Sequence, residues 1–313
     1  MARLVDSVIG HREVWQRWLS QMTTGHMPHA LALAGANGIG KSRVAWAMAQ
    51  ALLCERENQP CGECPACLRV ERRQSEGVLY IEPEKGVIKL DCAEMILQFL
   101  NLRRISRARV VLIDGAQHLN PQAANALLKA IEEPPEQTYF ILIVNEWAQL
   151  LPTLRSRSQL LRFQPLAVED LPAVEGEPQW MRLAARGSIS ELESLRSQGG
   201  AELRALALRF LSGALRGERQ VVAEWIDQTK DREVGLQALH FLQQLLRDWT
   251  VLESGEVIHQ DIGAQLAELP VRTVATRAEL WHKAFGLERD LVAHVDRALV
   301  FENFFYQAQA AER

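Results

Sequence analysis

The motif GANGIGKS, at positions 35–42, constrains the fold of this chain more than any other stretch. It matches the pattern G-x-x-x-x-G-K-[S/T], which cradles phosphate groups when it joins a strand to a following helix. The apolar run LALAG (31–35) precedes the motif, and the helical stretch SRVAWAMAQALLC (42–54) follows it. The sequence therefore predicts a nucleotide-binding domain of the α/β class. A glycine-rich strand–helix turn with an accidental lysine is the alternative.

Each residue type in this phosphate loop has a chemical role. Gly35, Gly38 and Gly40 let backbone N–H groups close around phosphate oxygens, and the helix N-terminus adds a favourable dipole. Lys41 is expected to reach the terminal phosphates of a nucleotide, and Ser42 is expected to reach its magnesium ion. The motif thus predicts binding of ATP with Mg²⁺.

Further β-type runs alternate with helical stretches through the first half of the sequence. Strands separated by helices predict a parallel sheet covered on both faces. The segment NPQAANALLKAIEEPPE (120–136) predicts a helix that Asn120 caps and Pro134 ends. The runs that predict the remaining strands are VLYIE (78–82), RVVLID (109–114), YFILIVN (139–145) and QLLRF (159–163).

The second half of the sequence is predominantly helical in its apolar spacing. We predict three domains: an α/β domain at 1–165, a small helical domain at 166–203 and a helical C-terminal domain at 204–313. The net charge of -4 argues against a protein that coats nucleic acid by itself. No apolar run approaches the roughly 20 residues of a membrane span, and the N-terminus lacks a signal-peptide core. A cytoplasmic location without membrane contact is expected.

Four of the five cysteines cluster in CERENQPCGECPAC: Cys54, Cys61, Cys64 and Cys67. In a cytoplasmic protein such clustering indicates a metal site before disulfides. Four thiolates can surround one tetrahedral Zn²⁺ and leave no position for water, so a structural zinc module is predicted at 54–67. An iron–sulfur cluster is the main alternative, although the C-P signature is absent, and free or redox thiols are another. Cys92 has no cysteine neighbour and is predicted to be a small buried residue.

The residues after the third predicted strand bear on ATP hydrolysis. Asp114 is placed to hold Mg²⁺ through water, but Gly115 takes the position where many ATPases carry a second carboxylate that activates water. Glu132 and Glu133 on the next helix could in principle substitute, although a solvated helix end is the favoured interpretation. Polymerase chemistry would need carboxylates that hold two metal ions, and the sequence offers no such set. The sequence thus predicts nucleotide binding beside an incomplete catalytic set.

The segment TLRSRSQLLRF (153–163) places Arg155 and Arg157 before the last predicted strand, where a pair of arginines is usually a solvated or salt-bridged face. However, the phosphate loop, the four-cysteine insert, LLKAIEEPPE and TLRSRS occur in this order in bacterial clamp-loader subunits. The chain resembles this family of AAA+ proteins, which load the sliding clamp of DNA polymerase III. The segment LVFENFF (299–305) also looks like the last collar helix of the family.

The resemblance implies an AAA+ P-loop domain with a zinc insert, then a small helical lid domain and a helical collar domain for oligomerisation. Within the family the chain resembles the delta-prime group, whose members act as non-hydrolysing stators. The motor subunits, gamma and tau, carry an acidic residue in place of Gly115 and a sensor arginine in place of Ser190. Arg157 matches the family's arginine finger, which reaches the γ-phosphate in a neighbouring subunit, and Asn145 matches its polar sensor. Many delta-prime relatives have a degraded phosphate loop, so the intact motif leaves nucleotide binding open.

The resemblance also implies partners. These are the gamma/tau motor subunits and a delta subunit in a hetero-oligomeric ring, with the sliding clamp and primed DNA reached through the complex. The chain would then be a component of the DNA polymerase III holoenzyme without a polymerase site of its own. Two alternatives stay open: an active motor ATPase of the same superfamily, and a zinc-containing P-loop regulator unrelated to replication.

Overall fold

The computed structural model describes residues 3–56, 60–197, 199–255, 257–270, 272–293 and 295–310. The chain forms two compact units. One comprises Met1–Pro172 with Arg186–Ser190, and the other comprises Ala173–Ala185 with Glu191–Arg313. The finer division into three domains stays a prediction.

A five-stranded parallel sheet lies at the centre of the first unit, in the order β2-β3-β4-β1-β5. Residues Ala34 and Val144 pair at the ends of β1 and β4, and Asp114 pairs with Ile143 at the ends of β3 and β4. All five predicted strands are present, with ends that differ from the prediction by at most one residue. The strands are β1 (Ala30–Ala34), β2 (Val78–Ile81), β3 (Arg109–Asp114), β4 (Thr138–Val144) and β5 (Gln159–Arg162).

Helices cover both faces of this sheet, because successive residues of a strand point to opposite faces and both sets are apolar here. Ala32 and Leu142 pack with Leu127 on one face, whereas Leu33 and Val110 pack with helices of the other face. The predicted fold class, a P-loop parallel sheet with helices, is confirmed. The helices of this unit are α1 (Arg12–Thr23), α2 (Lys41–Leu53), α3 (Pro65–Glu71), α4 (Leu90–Asn101), α5 (Pro121–Glu132) and α6 (Pro152–Arg155).

The helix α5 begins and ends as its sequence predicts. The side chain of Asn120 accepts the Ala123 N–H at 2.7 Å, and Pro121 occupies the first turn. The helix ends at Glu132, just before Pro134, which cannot continue it.

The described part of the second unit contains helices and no strand. Its aromatic core includes Phe210, whose ring lies 4.6 Å from that of Trp225, and Phe301, 5.1 Å from the same indole. No described helix has both the length and the apolar character needed to cross a membrane. The remaining helices are α7 (Gln179–Ala184), α8 (Ile189–Ser197), α9 (Gly200–Arg216), α10 (Gln220–Gln228), α11 (Arg232–Val251), α12 (Gly263–Ala267), α13 (Val274–Val292) and α14 (Arg297–Ala310).

Candidate nucleotide and metal sites

The phosphate loop lies at the carboxyl edge of the sheet, between β1 and α2. Gly38 and Gly40 have φ angles of +73° and +99°, the left-handed region that favours glycine. The N–H of Gly35 donates to the Val144 carbonyl oxygen at 3.3 Å, which fixes the start of the loop beside the end of β4. Ser42 is the second residue of α2 and is half-buried. This is the strand–loop–helix geometry that the motif requires.

Lys41 is buried and bonded to the loop itself. Its ammonium group donates to the carbonyl oxygens of Gly35 and Ala36, each at 2.6 Å. Burial lowers the pKa of Lys41 to about 8, and the Asp114 carboxylate opposes that shift. To contact a phosphate, the ammonium group must exchange these two carbonyl oxygens for phosphate oxygens.

The predicted magnesium and sensor residues lie at the same edge, because β3, β4 and β1 are adjacent in the sheet. Asp114 ends β3, and its carboxylate accepts a hydrogen bond from the Tyr80 hydroxyl at 3.2 Å. Burial, together with this carboxylate, raises the pKa of Tyr80, so the phenol stays a donor. Asn145 directly follows β4 and lines, with Gly35, a cleft of about 440 Å³. Asp114, Asn145 and the loop therefore surround one region.

The backbone at Gly115 favours glycine. Its φ angle is +71°, and a Cβ atom there would lie 3.1 Å from Cδ2 of His118. An acidic residue at this position would be strained in the backbone conformation that the structure has. The catalytic carboxylate that is missing from the sequence is therefore also disfavoured by the local geometry.

Residues 186–190 lie against the phosphate loop. The N–H groups of Ile189 and Ser190 donate to the Gly38 carbonyl oxygen at 2.9 and 3.4 Å. A Cβ atom on Gly38 would lie only 1.8 Å from the Ser190 hydroxyl oxygen and 2.3 Å from that of Ser188. Gly38 is therefore needed for this close approach as well as for its φ angle. Position 190, where the resemblance places a sensor arginine in motor subunits, does lie at the loop.

Sequence reasoning missed a cleft of about 780 Å³ between residues 8–17, which include the start of α1, and residues 162–170. The Nε2 atom of His11 lies 2.8 Å from the Ile39 carbonyl oxygen, and its ring packs edge-on against Phe163 at 4.8 Å. The cleft therefore adjoins the phosphate loop. Its only local signal is a glycine–histidine turn before a helix, which is too short to be distinctive. Its lining includes Val8, Gly10, Arg17, Arg162 and Asp170.

Arg157 lies in the turn between α6 and β5, where its side chain is held by its own chain. The Nε atom donates to Oε1 of Glu132 at 2.5 Å, and Nη2 also contacts this oxygen. The Nη1 atom donates to the Thr153 carbonyl oxygen at 2.9 Å and to the Ser156 hydroxyl at 3.0 Å. One third of the Arg157 side chain is exposed, at 33%, so the guanidinium reaches the surface.

Arg157 and the phosphate loop lie at opposite edges of the sheet. Arg157 precedes β5 and Glu132 ends α5 before β4, whereas the loop follows β1. A strand of about five residues spans roughly 16 Å, so neither side chain is near the loop of its own chain. Glu132 and Glu133 therefore lie at the wrong edge of the sheet to replace a carboxylate at position 115. Glu132 ends α5 with a side chain that is 45% exposed, as expected for a solvated helix end, and it also pairs with Arg157.

The four clustered cysteines converge between α2 and β2. Their Sγ atoms all lie within 4.8 Å of one another, and those of Cys61 and Cys67 are 3.9 Å apart. Four sulfurs around one Zn²⁺, with Zn–S bonds of about 2.3 Å, are separated by about 3.8 Å. The spacing fits one tetrahedral ion and leaves too little room for a cluster of several irons. The set comprises Cys54 after α2, Cys61 in the loop, Cys64 at the N-cap of α3 and Cys67 within α3.

The surroundings of the sulfurs shift the pKa values of Cys54, Cys61 and Cys67 in opposite directions. Backbone N–H groups, with that of Glu63 foremost, lower the pKa of Cys61 to about 6, whereas burial raises the pKa of Cys54 and Cys67. A bound divalent cation would deprotonate all four thiols. By contrast, Cys92 on α4 is only half-buried, so the prediction of a buried residue is wrong in degree.

The matching family model and the three relatives named here are all described as subunits of DNA polymerase III. The family model described as "DNA polymerase III, delta subunit" matches residues 10–167. DNA polymerase III subunit delta' of Pseudomonas aeruginosa is 30% identical over 274 residues, which cover 82% of this chain and 81% of that protein. Subunit delta' of Escherichia coli K12 is 31% identical, with 63% and 59% covered. Subunit tau of the same organism is 28% identical, with 66% and 35% covered.

Proposed function

Because the chain belongs to the DNA polymerase III delta-subunit family, we propose that it is the delta-prime-type stator of a clamp loader. In this role it donates Arg157 to the ATP site of a neighbouring motor subunit of the gamma/tau type. It takes part in this way in ATP-dependent loading of the sliding clamp onto primed DNA. The neighbouring subunits and a delta subunit complete a hetero-oligomeric ring.

The separation of Arg157 from the phosphate loop carries this proposal. An arginine at the amino edge of the sheet cannot reach a nucleotide bound at the carboxyl edge of the same sheet. It can reach a nucleotide in a second subunit whose carboxyl edge faces it. A planar guanidinium at that position would stabilise the charge that develops on the γ-phosphoryl group. The finger therefore acts only across an interface.

The proposal also includes nucleotide binding without turnover in this chain. The loop has the backbone geometry of a phosphate cradle, and Lys41, Ser42, Asp114 and Asn145 are near it. However, Gly115 supplies no carboxylate to orient water, and Ser190 supplies no cation for the γ-phosphate. ATP bound here is held rather than hydrolysed.

The zinc module is proposed to be structural. Cys54, Cys61, Cys64 and Cys67 would occupy all four positions of a tetrahedral ion, which leaves no site for a reactive water. The ion would fix the insert between α2 and β2. The four thiols themselves take no part in the reaction at the neighbouring subunit.

The proposal is tested by purifying the chain and candidate motor subunits and measuring ATPase rates of each alone and mixed. We expect negligible turnover by this chain alone, and turnover by the mixture above that of the motor subunits. Steady hydrolysis by the isolated chain that Lys41→Ala abolishes would support the motor ATPase instead. A chain that forms no complex with motor subunits would contradict the stator role.

A further inference from the structure

The contacts of Arg157 use nearly the whole guanidinium group. Arginine offers five N–H donors in a fixed plane. Nε donates to Oε1 of Glu132, Nη2 contacts the same oxygen as an ion pair, and Nη1 donates to Thr153 and Ser156. Within the described ranges, this leaves at most one N–H, on Nη2, without a contact. The two edges of the fork differ in kind: one meets a carboxylate, and the other meets a neutral carbonyl and a neutral hydroxyl.

We infer that Glu132 is a positioning residue that orders Arg157 for the γ-phosphate of the neighbouring subunit. This inference rests on the proposed function. Glu132 keeps the Nε–Nη2 edge of the guanidinium fixed while Nη1 exchanges its two neutral acceptors for phosphate oxygens. Hydrogen bonds between charged groups are stronger than bonds to neutral acceptors, so a phosphate displaces the Thr153 and Ser156 contacts before it displaces Glu132. The side chain then reaches the phosphate already oriented.

A purely stabilising role does not account for this pair. The side chains of Arg157 and Glu132 are 33% and 45% exposed, and exposed ion pairs contribute little to folding stability. The elements that carry them are fixed independently, because Ile131 of α5 and Leu154 of α6 are buried. What the pair does limit is the rotamer freedom of a long side chain at the surface. Small misplacements of a catalytic group lower rates strongly, so this restriction bears on catalysis.

The test compares complexes that contain Glu132→Ala, Glu132→Gln, Arg157→Ala and the double variant Glu132→Ala/Arg157→Ala. Steady-state ATPase is measured with saturating clamp and primed DNA. At the affected site we expect Glu132→Ala to lower kcat roughly 2- to 10-fold with a smaller change in KM. Glu132→Gln keeps an oxygen acceptor and should recover part of the rate. The double variant should match Arg157→Ala alone. Glu133→Ala, which removes the same charge from the same helix end, is the matched control and should leave the rate unchanged.

Three outcomes overturn the inference. If Glu132→Ala slows the Arg157→Ala complex further, Glu132 acts through something other than the finger. If Glu132→Ala accelerates turnover, Glu132 restrains the finger instead of positioning it. If Glu132→Ala leaves the rate unchanged although Arg157→Ala lowers it, the pair has no catalytic role.

A measurement on the isolated chain separates this inference from the proposed function. The Nε–H of Arg157 should exchange slowly with water in ¹⁵N spectra and exchange faster in Glu132→Ala, with an unchanged thermal midpoint. An Nε–H signal that Glu132→Ala does not alter would refute the contact while leaving the finger assignment intact. Conversely, an Arg157→Ala complex with normal ATPase and clamp loading would defeat the proposed function itself.

Discussion

Replacing Arg157 with alanine is the most direct test of the finger. The substitution removes the guanidinium and its contacts to Glu132, Thr153 and Ser156. Because the ion pair is exposed, its loss should change the free energy of unfolding by only about 0–1 kcal/mol. The turn itself is held by buried Leu154, so folding and assembly should be retained. Any large effect must then arise in the complex.

The size of that effect depends on how the ATP sites of the ring cooperate. If Arg157 is an arginine finger, its loss should lower the rate at the one site that receives it by about 10³- to 10⁵-fold. If the sites hydrolyse ATP independently, the other sites keep their own fingers, and the complex loses only the ATPase activity of this site. If the sites hydrolyse ATP in a concerted cycle, the ATPase rate of the whole complex falls by nearly the full factor of about 10³- to 10⁵-fold. Clamp loading, which needs the complete cycle, should therefore fall at least as much as ATPase.

The assay is clamp- and DNA-stimulated ATPase of the reconstituted complex, with clamp loading followed in parallel. Arg157→Lys should not restore the rate, because a point charge cannot reproduce the planar fork. Arg155→Ala is the neighbouring control and should have a milder effect, since Arg155 ends α6 and precedes the turn. A complex that assembles with Arg157→Ala and loads clamps at the unmodified rate would refute the reasoning.

Three further predictions concern the chain itself. Elemental analysis of the purified protein should find one zinc ion per chain, and the double variant Cys64→Ser/Cys67→Ser should contain none. Iron, or well under one equivalent of zinc after anaerobic purification, would contradict the zinc site. Calorimetry should detect ATP binding that Lys41→Ala abolishes, and the bound ATP should hardly be hydrolysed. Gly115→Glu should not create ATP hydrolysis, because the backbone at position 115 is left-handed. The pKa of Lys41 is lowered to about 8, so its ammonium group loses its charge as the pH rises through that value. ATP affinity should therefore fall over the same pH range. An affinity that stays constant between about pH 7 and 9 would show that Lys41 does not pair with the phosphates.

The sequence was most informative where local chemistry leaves few alternatives. Buried parallel strands need continuous apolar runs, so RVVLID predicted β3 with both of its ends correct. The two ends of α5 could be predicted from the sequence because Asn120 and Pro134 act on the backbone next to them. The four cysteines were predicted to meet because their spacing leaves few other arrangements, and their sulfurs do converge.

Contacts between segments that are distant in sequence could not be predicted from local sequence patterns. Glu132 and Arg157 are 25 residues apart in sequence, and charge alone predicted a solvated end for the first and left the partner of the second open. The cleft beside His11 depends on a bond to Ile39, 28 residues later, and no motif marks it. The half-burial of Cys92 depends on how α4 packs on the sheet, which its sequence neighbours do not determine.

The two edges of the sheet can change independently, so under the proposed function a subunit can lose hydrolysis and keep an arginine finger. Residues at the carboxyl edge or beside its phosphate loop, such as Gly115 and Ser190, would then determine whether nucleotide bound to this chain reacts. Residues at the amino edge, such as Arg157 and Glu132, would act on nucleotide that another chain holds. A substitution at one edge therefore leaves the chemistry of the other intact. An intact phosphate loop has a further use in this arrangement, because a ligand that binds only the folded state stabilises it by RT ln(1 + [L]/Kd). Nucleotide that is held without turnover would then strengthen the sheet that supports the finger.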